Sequence, residues 1–303
     1  MKKRVLCTLL AVAMGSTLLT GCGAGTDEGE TAAEETTPTE EADFEAEETD
    51  TDTAADEGEA AEEASSEEGR TFVVGFDAEY PPFGYMDDSG EYVGFDLDLA
   101  QKVCDNLGWT LEKKPINWDS KDMELNSGTI DCIWNGFTIN GREDDYTWSD
   151  PYLDNEQVIV VAADSGIETL EDLAGRNVVV QTASAALDAL NSDANAELTA
   201  SFASLTENAD YNTAFMNIDS GAADAVAVDI GVANYQLAQR EEGKYVILDE
   251  PIQSEQYGIG FKKGNEELRD QVWAEVLKLY EDGTVDELAE QYGVDTSMIC
   301  IGQ

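Results

Sequence analysis

An α/β fold is the class that this sequence predicts, and three observations support it. From residue 70 onward, short apolar runs rich in valine and isoleucine recur along the chain. Longer segments between them carry apolar residues at helical spacing. Runs of the two kinds alternate, which is typical of mostly parallel sheets covered by helices. The segment 70–303 is long enough for two lobes, each with its own core.

Each predicted element rests on a short pattern of residues. Six apolar runs predict strands: TFVVGF (71–76), TIDCIW (129–134), EQVIVVAA (156–163), NVVVQ (177–181), DAVAVD (224–229) and YGIGF (257–261). Five further patterns predict helices: FDLDLAQKVCDNLG (95–108), SAALDALNS (184–192), GVANYQLAQRE (231–241), NEELRDQVWAEVLKLYED (265–282) and TVDELAEQY (284–292). We expect Gly108 to end the first helix and Ser184 to cap the second. Thr284 and Glu287 have the spacing of a capping box.

The charge and composition of the chain exclude several kinds of function. Lys and Arg number 16 against 66 Asp and Glu, so the net charge is −50 and a nucleic acid would be repelled. The sequence has no histidine, which excludes Ser-His and Cys-His catalysis and the usual zinc sites. The many carboxylates single out no acid–base pair. We therefore expect no enzymatic activity, no cofactor and no metal.

The first 22 residues predict an export signal. A basic start, KKR (2–4), precedes an apolar run from Val5 to Leu19 that is too short for an ordinary membrane-spanning helix. The segment ends in LTGC (19–22), which resembles the lipobox of bacterial lipoproteins. This resemblance implies a lipid on Cys22 that holds the protein on the outer face of the cell membrane, or its periplasmic face where an outer membrane exists. A plain secretory signal with an incidental cysteine is the alternative.

The next segment, residues 23–69, is acidic and of low complexity. It contains twenty Asp and Glu, no Lys or Arg, and one aromatic residue, Phe44. Such a composition cannot bury enough apolar surface to offset its ordering entropy, so the segment is predicted to be disordered. Because like charges extend a chain, we expect a tether that keeps the folded part away from the membrane surface.

Three cysteines remain in the folded part, at positions 104, 132 and 300. Their spacing fits no metal-binding motif. Cys132 lies within the apolar TIDCIW run and is expected to be a core thiol. Whether two of the three form a disulfide is left open by the sequence.

Six blocks of sequence carry a resemblance to a known family. They are VGFDAEYPPFGYMDDSGEYVGFDLDLAQKV (74–103), LNSGTIDCIWNGFTINGRED (125–144), WSDPYLDNEQVIVV (148–161), VVVQTASAALDAL (178–190), DAVAVDIGVANY (224–235) and YGIGFKKGNEELRDQV (257–272). Together they resemble the polar-amino-acid substrate-binding proteins of ABC importers, the bacterial extracellular solute-binding family 3. The resemblance covers most of residues 70–292 in the order that the family has.

This resemblance implies a fold and a function. The fold is the two-lobed, type II periplasmic-binding-protein-like fold, in which two Rossmann-like lobes are joined by two crossing strands. Residues 70–158 and 256–303 would form lobe 1, and residues 159–255 lobe 2. The implied function is capture of a polar amino acid, cationic ones included, between two closing lobes and its delivery to an ABC permease by a monomeric receptor. An amino-acid-sensing surface receptor, and less readily a dehydratase-type enzyme on this fold, are the alternatives.

The resemblance also implies which residues hold the two charged groups of an α-amino acid. Arg142 matches the arginine that binds the α-carboxylate, and a guanidinium can do so through two parallel hydrogen bonds. Backbone amides near Thr138 and Ser184 would share that carboxylate. Asp229 matches the aspartate that pairs with the α-ammonium, and the Thr138 hydroxyl and Asn135 carbonyl would complete the ammonium's contacts.

The side chain of the ligand has its own implied contacts. Tyr80 and Trp118 match two aromatic positions that sandwich it, while Asp77 and Gln181 match positions of polar contact. The full expected ligand-binding set is Asp77, Tyr80, Trp118, Asn135, Gly136, Thr138, Arg142, Gln181, Ser184 and Asp229. The identity of the amino acid is left open, because relatives that bind glutamine also carry an acid at the position of Asp77.

Two departures from the family pattern concern this set. The turn before the arginine, Asn140-Gly141-Arg142, is one residue shorter than usual, and Gly141 can adopt a positive φ that would restore the reach of Arg142. The glycine that usually precedes the helix-opening Ser184 is Ala183 here. Pairing of Arg142 with a sequence neighbour such as Glu143 or Asp145 is the alternative to a ligand-binding role.

Overall fold

Strands and helices alternate along residues 69–303, the part of the chain that the computed structural model describes. The predicted signal peptide, Cys22 and the tether up to residue 68 lie outside the described residues. The strands are β1 Thr71–Phe76, β2 Glu79–Tyr80, β3 Gly84–Met86, β4 Tyr92–Val93, β5 Thr110–Pro115, β6 Cys132–Thr138, β7 Thr147–Trp148, β8 Leu153–Ala162, β9 Asn177–Gln181, β10 Ser204–Asn208, β11 Ala225–Asp229, β12 Tyr245–Ile247 and β13 Gln253–Phe261. The helices are α1 Phe95–Leu107, α2 Lys121–Ser127, α3 Ala185–Asn191, α4 Ala196–Ser201, α5 Tyr211–Ser220, α6 Ile230–Ala238, α7 Glu266–Glu281 and α8 Thr284–Tyr292.

One ten-stranded sheet runs through the molecule in the order β10-β9-β11-β8-β13-β6-β1-β5, with β12 and β7 paired at its sides. At one end, β1 pairs in parallel with both β5 and β6. At the other end, β9 pairs in parallel with both β10 and β11. Between these two groups run β8 and β13, which are ten and nine residues long and antiparallel. This is the predicted α/β fold with two lobes and two crossing strands.

The sequence did not predict the short or exposed strands, nor the helices α2, α4 and α5. Strands β2, β3 and β4 form a separate three-stranded sheet, and none is longer than three residues. Strands β5 and β10 carry largely exposed or half-exposed residues at the two edges of the main sheet. Apolar periodicity identifies a strand only where one face is buried, so these elements left no clear signal.

The helix ends agree with two of the three sequence expectations. Gly108 ends α1 in the left-handed region at φ 70°, and the Ser184 hydroxyl caps α3 by accepting the Leu187 N–H at 3.1 Å. The capping-box prediction for α8 is wrong. Thr284 is the first residue of that helix, Gly283 stands at its cap, and the Thr284 hydroxyl donates to Asp282 instead.

The apolar side chains form a large core that extends through both lobes and a smaller core under β9 and α3. Cys132 is fully buried, as predicted for a core thiol. The structure also answers the disulfide question, since Cys104, Cys132 and Cys300 are all buried and unbridged. Within residues 69–303, no helix is both long enough and apolar enough to cross a membrane.

Candidate functional site

A pocket lies where the carboxyl ends of β6, β9 and β11 meet. Open α/β sheets bind ligands at such strand ends because the loops that follow converge there. Nine of the ten sequence-predicted residues line this pocket, together with two that were not predicted: Tyr80, Trp118, Asn135, Gly136, Phe137, Thr138, Arg142, Gln181, Ser184, Ala185 and Asp229. Asp77 is the exception and lies in an adjacent cavity.

Arg142 reaches the pocket from the turn that follows β6. Gly141 has φ 81°, the positive value expected of the shortened turn. The Arg142 guanidinium lies over the Phe137 ring, 5.5 Å from its centroid, and its Nη1 is 3.4 Å from the Thr138 carbonyl oxygen. These contacts leave the arginine side chain 12% exposed. The guanidinium is therefore held against an aromatic face and presented at the pocket.

The ion-pair partner of Arg142 is neither Glu143 nor Asp145. Its Nη2 donates to Asp188 Oδ2 at 2.6 Å, and Asp188 lies on α3. The Asp188 side chain is 64% exposed, so water competes for it. The Asp188 carboxylate thus already occupies one edge of the guanidinium in this structure.

The loop before α3 brings Ser184 to the same side of the pocket. Ala183 adopts φ 55°, and it is the sole non-glycine residue with a positive φ in residues 69–303. The Ser184 hydroxyl donates to the Gln181 carbonyl at 2.8 Å, and its own backbone N–H lies 3.4 Å from that oxygen. Because that amide contact is long, the Ser184 N–H remains a donor for a stronger acceptor.

Asp229 ends β11 and is almost completely buried. Its Oδ1 accepts three hydrogen bonds, from Gln157 Nε2 at 2.6 Å, Asn155 Nδ2 at 2.9 Å and the Tyr257 hydroxyl at 2.5 Å. Burial raises the pKa of the Asp229 carboxyl. All three donors are neutral, so the charge of an ionised Asp229 lacks a cationic partner within the described part of the chain.

Thr138 ends β6 opposite Asp229. Its hydroxyl donates to Glu255 Oε1 at 2.8 Å, and Glu255 lies on β13 beneath the pocket. Burial, and then the charge of Asp229, raise the pKa of the Glu255 carboxyl. A second buried carboxyl group, which the sequence did not predict, therefore lies behind Thr138.

Tyr80 and Trp118 supply the aromatic surface. Tyr80 is 7% exposed, and its ring lies 5.9 Å from that of Tyr211. Trp118 lies in a short 3₁₀ helix, packs edge-on against Phe137, and has the Lys121 ammonium 5.1 Å from its ring centroid. The phenol ring of Tyr80 and the indole ring of Trp118 can each offer a flat apolar face to a ligand side chain.

Asp77 and Gln181, the residues predicted to bind the polar end of the ligand's side chain, contact each other. Gln181 Nε2 donates to Asp77 Oδ2 at 2.6 Å, and Asn135 Oδ1 accepts the Asp77 backbone N–H at 2.9 Å. Asn135 Nδ2 is buried without a partner among the described residues. Burial raises the pKa of Asp77 to about 6. Asp77 therefore titrates just below neutral pH.

A cavity of about 700 Å³ adjoins the pocket through Asp77 and Trp118. Five carboxylates lie on its wall, at Asp77, Glu79, Asp119, Glu124 and Asp210. No lysine, arginine or other cation is among the residues that line it. Such a wall creates a negative potential beside the predicted side-chain position.

Sequence reasoning missed several residues of the site. Asn155, Gln157, Glu255 and Tyr257 lie on the crossing strands, and Asp188 lies on α3. The sequence does contain a signal for the strand residues, since NEQ (155–157) and SEQ (254–256) interrupt otherwise apolar strands. A buried strand with polar residues at alternate positions indicates a polar face.

Comparison with known proteins agrees with this architecture. The sequence profile of the bacterial extracellular solute-binding proteins, family 3, matches residues 72–295. The L-cystine-binding protein TcyJ of Escherichia coli is 29% identical over 231 residues, which are 75% of this chain and 84% of TcyJ.

Two solved structures resemble most of the folded part. One is a substrate-binding protein of an ABC uptake transporter from Streptococcus pneumoniae with bound histidine, at a TM-score of 0.70 and 31% identity, covering 73% of this chain and 92% of that one. The other is an ancestral arginine-binding protein bound to arginine, at a TM-score of 0.68 and 35% identity, covering 74% and 99%. All three relatives are binding proteins. The chain therefore belongs to the bacterial extracellular solute-binding proteins of family 3.

Proposed function

We propose that this protein is a lipid-anchored receptor that captures a free α-amino acid and delivers it to an ABC permease. Arg142 binds the α-carboxylate together with backbone amides of Ser184 and Thr138. Asp229, the Thr138 hydroxyl and the Asn135 carbonyl bind the α-ammonium. The observation that carries the proposal is the placement of Arg142 and Asp229, one cation and one anion, on the wall of the same pocket.

The chemistry of an amino acid fits this arrangement. A zwitterion that leaves water needs a partner for each charge, since an unpaired buried ion costs several kcal/mol. The guanidinium can offer two parallel N–H groups to a carboxylate. Asp229 has neutral donors and lacks a cation, which is the complement that an ammonium requires.

The ligand side chain lies between Tyr80 and Trp118, and Asp77 and Gln181 bind its polar end. We assign a cationic side chain to the ligand because the cavity beyond Asp77 and Trp118 is lined by five carboxylates and no basic residue. Proteins similar to this chain bind arginine and histidine among other amino acids. The negative wall favours these over neutral or acidic side chains.

The remaining parts of the chain complete the receptor. Cys22 carries the lipid, and residues 23–69 form the tether between membrane and receptor. Residues 70–158 and 256–303 form lobe 1, residues 159–255 form lobe 2, and the receptor acts as a monomer. The bound amino acid is released unchanged.

Calorimetric titration tests this proposal. The chain from residue 23 is titrated with the twenty amino acids plus ornithine and cystine, and bound ligand is recovered and weighed by mass spectrometry. We expect L-arginine, L-lysine or L-ornithine to bind tightest and to be recovered intact. Arg142→Ala should abolish most of the affinity, while Arg176→Ala, which removes an exposed arginine paired with Asp224, should not. Equal binding by the Arg142→Ala protein would refute the site, and turnover of the ligand would refute the receptor function.

A further inference from the structure

Glu255 is a buried carboxylate at the crossing of the two long strands. In the sheet register it lies opposite Asn155 on β8, while Gln157 on β8 lies opposite Asp229 on β11. Asn155 and Gln157 are two residues apart, so their side chains point to the same face of the sheet. The four side chains form one polar group beneath the pocket, and each is at most 4% exposed.

Two amide groups bridge the two carboxylates. Asn155 Nδ2 lies 2.8 Å from Glu255 Oε1 and 2.9 Å from Asp229 Oδ1. Gln157 Nε2 lies 2.7 Å and 2.6 Å from the same two oxygens. In residues 69–303 the ion pairs of lysine and arginine involve neither carboxylate. Two ionised carboxylates in this position would hold two buried negative charges without a cation, which is costly.

The Thr138 hydroxyl is oriented by this pair. Its single proton is directed to Glu255 Oε1 at 2.8 Å, so the hydroxyl can only accept hydrogen bonds from the pocket that Thr138 lines. An acceptor at this point suits an ammonium and not a second carboxylate. Gln157 Oε1, which is buried without a partner among the described residues, is a further acceptor in the same group.

The other groups that face the pair stay neutral at physiological pH. Tyr257 from β13, Tyr80 from β2 and Tyr211 from α5 have a pKa raised well above the usual value by burial. Arg142 is the charged side chain that lines the same pocket, and it pairs with Asp188. The groups at this position that can take up a proton are therefore the two carboxyl groups, whose pKa burial raises.

We propose that Glu255 is a second anion of the ammonium site, and that Glu255 and Asp229 share one proton which leaves for the solvent when the ligand's ammonium enters. This inference rests on the proposed function. The exchange conserves charge, because one monovalent cation replaces another between two carboxylates and the ligand remains a zwitterion. Glu255 acts as a positioning residue, since it reaches the ligand through Thr138 and through its effect on Asp229.

Proton release is measured by titrating the chain from residue 23 with L-arginine in buffers of different ionisation enthalpy. Near pH 6.5 the wild type should release approximately one proton per bound arginine, and Glu255→Gln should release far less. Glu156→Gln is the matched control, because Glu156 lies on β8 between Asn155 and Gln157 and so points to the opposite face. Equal release by wild type and Glu255→Gln would overturn the proposal.

The pH dependence of affinity separates this role from a purely structural one. At a higher pH, above the pKa of the pair, both carboxylates are ionised, so Glu255→Gln should weaken arginine binding by about tenfold, a change of about 1.4 kcal/mol. At a lower pH, below that pKa, the shared proton occupies the site, and the difference in affinity between wild type and variant should shrink. L-argininic acid, which has a hydroxyl in place of the ammonium, should bind both proteins alike and release no proton. An equal loss of affinity in Glu255→Gln at both pH values would contradict the proposal.

A measurement without ligand distinguishes this proposal from the proposed function. Infrared spectra of the wild type with isotope-labelled glutamate should show a protonated glutamate carboxyl at pH 6, where exposed glutamates are ionised. The band should be absent from Glu255→Gln and present in Glu156→Gln. If arginine and the other amino acids fail to bind while this band is present, the receptor function fails and the shared proton stands. If the band is absent from the wild type, the shared proton is refuted whatever binds.

Discussion

Arg142 Nη2 and Asp188 Oδ2 lie 2.6 Å apart, and the ion pair that they form joins the turn after β6 to α3. The guanidinium is mostly buried and rests on Phe137, whereas the aspartate is largely exposed. The pair therefore links a largely buried cation to an exposed, hydrated anion. In the proposed site a ligand carboxylate requires the same guanidinium, so Asp188 would compete with it.

Removing this competitor should strengthen ligand binding. An exposed ion pair contributes about 0.2–1 kcal/mol, so Asp188→Asn should tighten the binding of L-arginine by up to about fivefold. Calorimetry of the wild type and the variant measures this directly. Asp193→Asn, at an exposed position just after α3, is the control and should change nothing. Weaker binding by Asp188→Asn would show that the aspartate supports the ligand.

Two glycines in the same region should respond differently to alanine. Both Gly136 and Gly141 have a positive φ, which costs an alanine about 1–2 kcal/mol. A Cβ on Gly136 would also lie 3.0 Å from ring atoms of Tyr80 and Tyr257, whereas nothing lies within 4 Å of a Cβ on Gly141. Urea unfolding should show that Gly136→Ala loses about 1–3 kcal/mol more than Gly141→Ala. Equal losses would mean that the tyrosines move aside freely.

Glycine at position 183 should stabilise the protein. Ala183 adopts φ 55°, and relief of that strain, about 1–2 kcal/mol, exceeds the extra unfolded-state entropy of glycine, about 0.5–1 kcal/mol. Urea unfolding of Ala183→Gly should show a gain of about 0.5–1 kcal/mol. Ala189→Gly, inside α3, should instead lose about 1 kcal/mol. A loss at both positions would indicate that Ala183 makes contacts worth more than its strain.

The buried Asp96 should make stability fall as the pH rises. Its Oδ2 accepts the Gly136 N–H at 2.6 Å and the Tyr152 hydroxyl at 2.9 Å, and burial raises its pKa from 3.8 to about 7. A raised carboxyl pKa favours the folded state below pH 4, and that contribution is lost as the pH rises through 7. Asp96→Asn does not titrate at this position, so its stability curve should be shallower between pH 4 and 7.

Urea unfolding at several pH values measures the difference in slope. One proton accounts for at most about 1.4 kcal/mol per pH unit. Asp77 titrates in the same window, with a pKa near 6, so a residual slope should remain in Asp96→Asn. Asp105→Asn removes an exposed carboxylate of the same helix and should retain the wild-type slope. Identical slopes in all three proteins would refute the assignment to Asp96.

The sequence predicted the central strands of the fold because they are buried on both faces and so read as apolar runs. β9 and β11 were predicted to within one residue, whereas the exposed edges β5 and β10 were missed. Thr284 was misassigned because spacing alone cannot tell a cap from a first helical residue. The Thr284 hydroxyl donates to Asp282, and the N-cap residue is Gly283, so a capping box with Glu287 does not form.

The pocket was predicted less completely than the fold. Motif order placed nine residues on one pocket wall, but the role of Asp188 could not be assigned from its own segment, and the polar residues around Glu255 indicated only a polar strand face. In the sequence Asp188 resembles any exposed acidic residue of a helix, and only the structure shows its contact with Arg142. Glu255 acquires a role only through the register of β13 with β8, which connects residues a hundred positions apart.

The binding of L-arginine and L-argininamide to wild type and Arg142→Ala tests the central claim most directly. The amide lacks the α-carboxylate, and charge-assisted hydrogen bonds of the guanidinium to that group contribute about 1.5–3 kcal/mol. Wild type should therefore bind arginine about tenfold to a hundredfold more tightly than the amide, and Arg142→Ala should lose most of that preference, the remainder coming from the backbone amides of Ser184 and Thr138. If Arg142→Ala keeps the full preference for arginine, Arg142 does not bind the carboxylate and the proposed site is wrong.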